Sequence, residues 1–235
     1  AAPLDPMGDT AAGFYQQIDR LYDGLSGGRR LGDCTGRQDW PNRGVYFLFE
    51  PGEFRTPPYT GLRVVRVGTH AVSAGSANTF WKRLVNHRGT GNGGGNHRGS
   101  VFRRHVGRAL MNCNPELYDV PSWSATERPS GDALEIEQKL ESAVSAFMSN
   151  LTVLWLSIDD EPSKDSDRSF IERNSIALLS GLAYQTPSET WLGRHSDHER
   201  IRRSGLWNLD FINGTVEPEF LARLEKYVTA TLHDV

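Results

Sequence analysis

Three side chains in the first half of the chain have the types and spacing to act on a phosphate group. Tyr46 lies in the strand-like run RGVYFLFE, residues 43–50, where Val or Ile would pack without a polar atom to satisfy. Arg83 and His87 stand four positions apart in TFWKRLVNHR, so they face the same side of a helix. An arginine offers a fixed fork of donors to phosphate oxygens, and a histidine titrates near neutral pH. The tyrosine has two interpretations: a hydroxyl bonded at the rim of a sheet, or a functional hydroxyl.

The charges of the chain are unevenly distributed. The protein has 235 residues and a formal net charge of -3, yet no Asp or Glu lies between Phe54 and Pro115. The basic residues and histidines of this segment are Arg55, Arg63, Arg66, His70, Lys82, Arg83, His87, Arg88, His97, Arg98, Arg103, Arg104, His105 and Arg108. An acid-free, arginine-rich segment is typical of a polyanion binder, because each phosphate contact releases condensed counterions. The alternative is a solvated basic face that pairs with the acidic second half of the chain.

Composition predicts an ordinary globular protein. With 37% hydrophobic and 23% charged residues, the chain can bury one sizeable core. No apolar run approaches the roughly 18 residues of a membrane span, and AAPLDPMGDT lacks a basic region followed by an apolar stretch, so we expect a cytoplasmic protein. Cys34 and Cys113 are far apart and have no CxxC spacing, which favours idle or buried thiols. The spacings of the histidines at 97, 105, 195 and 198 match no metal-ligand pattern.

Hydrophobic periodicity predicts helices around a small sheet. The hairpin GVYFLF and LRVVRVGT, residues 44–49 and 62–69, is joined by the turn-rich segment 51–61, and LTVLWLSI at 151–158 reads as a buried strand. Ser76 or Asn78 is expected to cap the helix that carries Arg83 and His87. The predicted helices cover residues 9–25, 79–88, 101–111, 132–150, 169–183 and 217–232.

The segment GTGNGGGNHRGS, residues 89–100, is too rich in glycine for regular structure. It has no GK[ST], so it is not a Walker A loop. Two interpretations stay open. It is either a flexible basic loop that lays backbone N-H groups and Arg98 along a phosphate chain, or a surface insertion without a function.

Short motifs along the chain resemble those of the GIY-YIG nuclease superfamily. GVY at 44–46 stands where the family has GIY, and RVG at 66–68, followed by Thr69, stands where it has YIG. Arg83-x-x-x-His87 matches the family's arginine and, as in its restriction-enzyme branch, a histidine one turn later. The second family tyrosine is replaced by Arg66.

Two further motifs lie in the second half of the chain. FIERNSIALL at 170–179 resembles the family's helix with the metal-binding glutamate, which implicates Glu172, and SGLWN ends at Asn208, where the family has a later asparagine. Asn174 is the competing candidate for that asparagine. Ser169-x-x-Glu172 also matches a capping box, in which the glutamate would only satisfy a backbone N-H group.

The resemblance implies an α/β (α+β) fold with a small central sheet of about three strands flanked by helices. The expected organisation is an N-terminal helical extension over 1–42 and a nuclease core over 43–212. Insertions into the core are expected at 89–130 and 185–205, and a C-terminal helix over 213–235 packs on the core.

The function implied by the resemblance is a divalent-metal-dependent endonuclease of the restriction or phage-defence type. Tyr46 would orient or deprotonate the attacking water, Arg83 would stabilise the phosphate, and His87 would assist proton transfer. Glu172 would hold one Mg²⁺ or Mn²⁺ ion in each active site. Arg66 either takes over activation of Tyr46 or marks reduced activity. The alternative is a binding module that retains the fold without turnover.

The expected partner is DNA, in the first place duplex DNA. On a palindromic site, a homodimer is the expected arrangement. The residues expected to contact nucleic acid are Arg43, His70, Lys82, Arg88, His97, Arg98, Arg103 and Arg104.

Overall fold

A four-stranded antiparallel sheet forms the centre of the protein. The computed structural model describes residues 6–73, 75–182 and 185–234. The strands are β1 (Arg29–Arg30), β2 (Gly44–Phe54), β3 (Leu62–Gly68) and β4 (Thr152–Ser157), in the order β1-β4-β2-β3. The predicted mixed α/β fold with a small central sheet is therefore confirmed.

Seven α-helices occur in the described parts of the chain. They are α1 (Pro6–Gly24), α2 (Phe80–Arg88), α3 (Val101–Cys113), α4 (Asp132–Ser149), α5 (Asp167–Ser180), α6 (Glu199–Ser204) and α7 (Phe220–His233). Among the described residues, no helix combines the length and apolar character that crossing a bilayer requires.

Helices cover both faces of the sheet. Successive residues of β2 point to opposite sides, so each side chain of this strand packs against one helical layer or the other. Tyr46 faces α2, where its ring lies edge-on to Phe80 and His87. Phe47 points the other way and packs against Phe14 of α1. The helices α1, α5 and α7 pack together on that second face, whereas α4 contacts both α2 and α3. This layering explains why GVYFLF has no polar face.

The register of the sheet places Tyr46 in its centre rather than at its rim. Tyr46 pairs with Gly68 on β3 and with Trp155 on β4. A Cβ atom at position 68 would lie 2.2 Å from the Tyr46 hydroxyl oxygen. The glycine of RVG is therefore required by the close approach of the tyrosine.

Several local expectations differ from the structure. Strand β2 extends to Phe54, into the segment expected to be a turn, and helix α6 was not predicted. The two-residue strand β1 was not predicted, because so short a segment has no periodicity, and it lies within the expected extension 1–42 although it joins the sheet. Neither Ser76 nor Asn78 caps α2. Thr79 is its N-cap, and the threonine hydroxyl accepts a hydrogen bond from the backbone N-H of Lys82.

We predict that Gly68→Ala lowers the free energy of unfolding by about 1–3 kcal/mol, because the added methyl overpacks against Tyr46. Urea denaturation measures this change. The matched control is Gly91→Ala, since a Cβ atom there meets nothing within 4 Å. Equal stabilities of the two variants would contradict the packing argument.

Candidate active site

A cleft of about 550 Å³ opens where α2, α3 and α5 meet the segment 207–211. Its walls carry four of the residues that the sequence singled out as catalytic. These wall residues, together with one histidine of α3, are Arg66, Arg83, His105, Glu172 and Asn208.

Tyr46 and His87 form a hydrogen-bonded pair that is closed to solvent in this structure. The Tyr46 hydroxyl lies 2.8 Å from His87 Nε2, and both side chains are completely buried. His87 Nδ1 lies 2.8 Å from the hydroxyl of Ser100. That hydroxyl also accepts the N-H of Arg103 as the N-cap of α3. The cap of one helix therefore orients the imidazole of another.

The environment of His87 keeps its ring neutral. Burial, reinforced by the positive charges of Arg83, Arg66 and Arg103, holds the pKa of His87 well below its ordinary value. A neutral imidazole donates at one nitrogen and accepts at the other. When the Nδ1 proton points to Ser100, Nε2 is free to accept the hydroxyl proton of Tyr46.

Glu172 is not a capping residue. Helix α5 begins at Asp167, and its N-cap is Ser166, whose hydroxyl accepts the Ser169 N-H at 3.3 Å. The capping-box interpretation is therefore wrong. Glu172 instead reaches out of the helix, and its Oε1 accepts the N-H of Thr69, immediately after RVG, at 3.1 Å.

The carboxyl of Glu172 has a pKa that is raised towards neutral pH. Burial raises its pKa to about 7, although Arg66, the Thr69 N-H and Arg83 all act in the opposite direction. The charge of Asp210, which also lines the cleft, adds to the upward shift. A cation at this carboxyl would displace the proton and relieve the repulsion between the two acids.

The two arginines of the cleft differ in their bonding. Arg66 donates to the backbone oxygen of Trp207 at 2.6 Å, and its guanidinium lies 4.7 Å from the ring centre of Phe102. Arg83 is half-buried, and within the described parts of the chain no acidic side chain pairs with it. Its donors thus remain available to an anion in the cleft.

Asn208 joins the cleft wall to the sheet. Its side-chain oxygen accepts the N-H of Val67 at 3.1 Å, and its amide nitrogen donates to the Val67 oxygen at 2.8 Å. The competing asparagine, Asn174, bonds instead to Phe170 and Glu217 on the far side of α5. Of the two candidates, the structure brings only Asn208 to the cleft.

Comparison with family models places nearly the whole chain in one family. A family model described as a GIY-YIG domain matches residues 7–234. The chain belongs to the GIY-YIG family. Searches of curated proteins and of solved structures return no match. Membership of the GIY-YIG family indicates a nuclease-type function, and with it DNA as the class of substrate.

Three residues expected to contact DNA turn inward in this GIY-YIG protein. Arg103 donates to Glu141 at 2.6 Å, and His97 Nδ1 lies 2.9 Å from the same carboxylate. Arg98 pairs with Glu137 at 2.6 Å. Carboxylates of α4 hold all three side chains, and Arg103 and His97 are fully buried, so these two are not exposed to DNA in this structure. His97 and Arg98 fasten the end of the glycine-rich segment to α4, and Arg103 fastens α3 to the same helix. The pairing with acidic residues of the second half agrees with the alternative interpretation of the basic segment, but His97 and Arg103 are buried and do not form a solvated face.

The remaining expected contacts occupy mixed positions. Lys82 and Arg104 are exposed. Arg43 bonds to the carbonyl of Asp160 and lies 3.8 Å from the carboxylates of Asp159 and Glu161.

Two other expected contacts are engaged within the protein. Arg88 donates to the carbonyl of Cys34 and covers Trp81. His70 is buried, and burial together with the charge of Arg168 lowers its pKa to about 4.

Several site residues were missed by sequence reasoning. Asp210 follows Asn208 within a segment that has no recognisable periodicity. Lys164 and Arg173 also line the cleft. Lys164 belongs to no motif, and Arg173 lies within FIERNSIALL beside Glu172 but was given no role. Ser100 had a usable signal, because a serine directly before a predicted helix is a preferred N-cap.

We predict that Glu141→Gln lowers the free energy of unfolding at pH 7 by about 3–5 kcal/mol, because it leaves Arg103 buried without a counter-charge. Burial opposes ionisation of Glu141, but hydrogen bonds from His97 and Arg103 outweigh it and lower its pKa. This stabilisation is present above the ordinary glutamate pKa and is lost as the pH falls towards the lowered value.

The deficit of the variant should therefore shrink as the pH falls below about 4.5, the range of an ordinary glutamate. Urea denaturation at pH 7 and at lower pH measures it. Glu135→Gln, on the exposed side of the same helix, is the control. A deficit that does not change with pH would contradict the role of the ionised carboxylate.

Proposed function

We propose that this protein is an endonuclease that hydrolyses phosphodiester bonds of duplex DNA with one divalent cation at Glu172. The observation that carries the proposal is the convergence of Arg83 and the carboxyl of Glu172 on one cleft beside the Tyr46–His87 pair. Arg83 has no acidic partner among the described residues. Phosphodiester hydrolysis needs a positioned water, a cation for the phosphate and neutralisation of the leaving oxygen. This group of residues has the matching chemistry.

The residues present fit a hard cation. Carboxylate oxygens are the ligands that Mg²⁺ and Mn²⁺ accept, and Mg²⁺ retains several waters, so one protein carboxylate can suffice. The Thr69 N-H fixes one oxygen of Glu172. The negative charge of nearby Asp210 disfavours a second negative charge on Glu172, and a bound cation would offset that repulsion. When bound, the cation would offset negative charge on the phosphate and on the leaving oxygen.

The protein's own groups would handle the substrate and the proton. Arg83 would donate to the phosphate oxygens from the wall of the cleft. Neutral His87 would accept the hydroxyl proton of Tyr46, so that the tyrosine oxygen can take a proton from the attacking water. Because the hydroxyl is closed to solvent, this step requires that DNA binding admit a water to it.

Arg66 would act through its charge rather than as a second tyrosine. The same guanidinium lowers the pKa of His87 and opposes the rise in the pKa of Glu172. It therefore favours a neutral base and an ionised carboxylate together. Its bond to Trp207 also fixes the neighbouring segment.

Restriction or phage defence is the role that this proposal favours. The protein would then act on DNA in the cytoplasm, with a homodimer on a palindromic site. The second candidate is a DNA-binding module with reduced turnover. The closure of Tyr46 to solvent and the replacement of the second motif tyrosine by Arg66 favour that candidate.

Plasmid and phage genomic DNA, incubated with Mg²⁺ or with EDTA, separate the two candidates. We expect Mg²⁺-dependent cleavage that Glu172→Gln abolishes and that Tyr46→Phe slows by at least about 100-fold, the usual contribution of a proton-transfer group. Tyr22→Phe and Glu135→Gln remove the same groups at exposed positions and should cut as the wild type does. Binding without cleavage by the wild type, weakened by salt, would support the binding module instead.

The pH dependence of the metal requirement tests the role of Glu172 separately. Because its pKa is about 7, protons compete with the cation below that pH. The Mg²⁺ concentration for half-maximal cleavage should rise about tenfold for each pH unit below 7 and level off above it. Cleavage rates over Mg²⁺ titrations from pH 5.5 to 8.5 measure this. A constant half-maximal concentration would argue against Glu172 as the ligand.

A further inference from the structure

A second group of metal-ligating side chains lies at the edge of the cleft and takes no part in the proposed reaction. His105 comes from α3, and Asp197 and His198 come from the segment just before α6. One ligand atom from each of the three lies within 4.8 Å of the other two. Three potential ligands from two separate elements thus converge on one point.

The buried member of this group has an unused ring nitrogen. His105 is 5% exposed, and its Nε2 has no hydrogen-bond partner among the described residues. The ring of His198 stands nearly perpendicular to it, at 84°, with the ring centres 4.6 Å apart. A buried imidazole nitrogen without a partner is costly, and a metal ion between the two rings would satisfy it.

Asp197 supplies a carboxylate that is only partly engaged. One of its oxygens lies 3.8 Å from His198 Nε2, and the other lies 3.5 Å from Nε of Arg108. Both contacts are longer than a hydrogen bond. Arg108 is therefore a weakly held counter-charge of Asp197. A metal cation would have to displace Arg108 or share the carboxylate with it.

The segment that carries Asp197 and His198 is fastened to its surroundings. Asn112, near the end of α3, donates to the backbone oxygen of His195 at 2.8 Å. Arg202 of α6 donates to the backbone oxygen of Ser196 at 2.6 Å. These bonds hold the segment beside α3 before any ion binds, which limits the ordering cost of binding.

We propose that His105, Asp197 and His198 form a binding site for one divalent transition-metal ion of the Zn²⁺ class. Two imidazoles and one carboxylate suit Zn²⁺, Co²⁺ or Mn²⁺, whereas Mg²⁺ prefers oxygen ligands alone. The site is thus chemically distinct from the carboxylate of Glu172. Three protein ligands leave a position for water or a phosphate oxygen.

An ion at this position would add positive charge to the wall of the cleft. His105 lines the cleft together with Arg83 and Glu172. The ion would also link α3 to the segment before α6. It would therefore serve as a phosphate anchor at the rim and as a brace between two elements.

The test is a Co²⁺ titration of the full chain, followed by the visible absorption of the bound ion and by equilibrium dialysis. Wild type, Glu172→Gln and His195→Gln should each bind one tight equivalent with the same spectrum, because the lone carboxylate of Glu172 binds Co²⁺ more weakly and His195 is an exposed histidine outside the group. His198→Gln and Asp197→Asn should bind at least tenfold more weakly and lose that spectrum. Both substitutions lie at exposed positions, so the fold is preserved.

Arg108→Gln adds a test in the opposite direction. Removing the competing charge beside Asp197 should tighten Co²⁺ binding by about two- to fivefold, the range of a partly exposed ion pair. Undiminished binding in His198→Gln, or loss of binding in Glu172→Gln, would overturn the proposal. None of these measurements needs cleavage, so the result is independent of the nuclease assignment.

Discussion

The hydrogen bond between Tyr46 and His87 is the interaction on which the rest of the site depends. It requires a tyrosine in the central strand, and that side chain has room only because position 68 of the neighbouring strand is glycine. It also requires that α2 present His87 towards the sheet, with the N-cap of α3 holding the far side of the ring. This buried polar contact therefore links the central strand to α2 and to the N-cap of α3, and it would be costly to leave unsatisfied.

Two arginines of the site, Arg66 and Arg83, act in the same direction on the pKa of two neighbouring groups. Arg66 and Arg83 make protonation of His87 unfavourable and ionisation of Glu172 easier. One pair of guanidinium groups thus sets a neutral base and an available carboxylate in the same small volume. Arg66, Arg83 and Arg103 together place a cluster of positive charge beside His87, and the carboxylate of Glu141 on α4 neutralises the part contributed by Arg103.

Much of this arrangement could be predicted from sequence because it follows local patterns. The alternating and continuous apolar runs gave β2, β3 and β4, and the four-residue spacing placed Arg83 and His87 on one helix face. Local patterns also misled: Ser169 and Glu172 match a capping box, but Ser166, three residues earlier, is the N-cap. Composition could not tell which arginines face solvent, since the partners of Arg98 and Arg103 stand about forty positions away. The convergence of His105 with residues 197 and 198 depends on tertiary packing that no spacing rule encodes.

The bonds of Asn208 and its neighbour have a consequence for assembly. The backbone N-H of Trp207 donates to Val65, and Asn208 occupies both backbone groups of Val67, so the outer side of β3 is covered along this stretch. At the opposite edge of the sheet, β1 has only two residues. Among the described residues, the β3 border therefore offers no continuous row of open amide and carbonyl groups to a second copy. A second protomer on the same DNA duplex would not extend the sheet at that border.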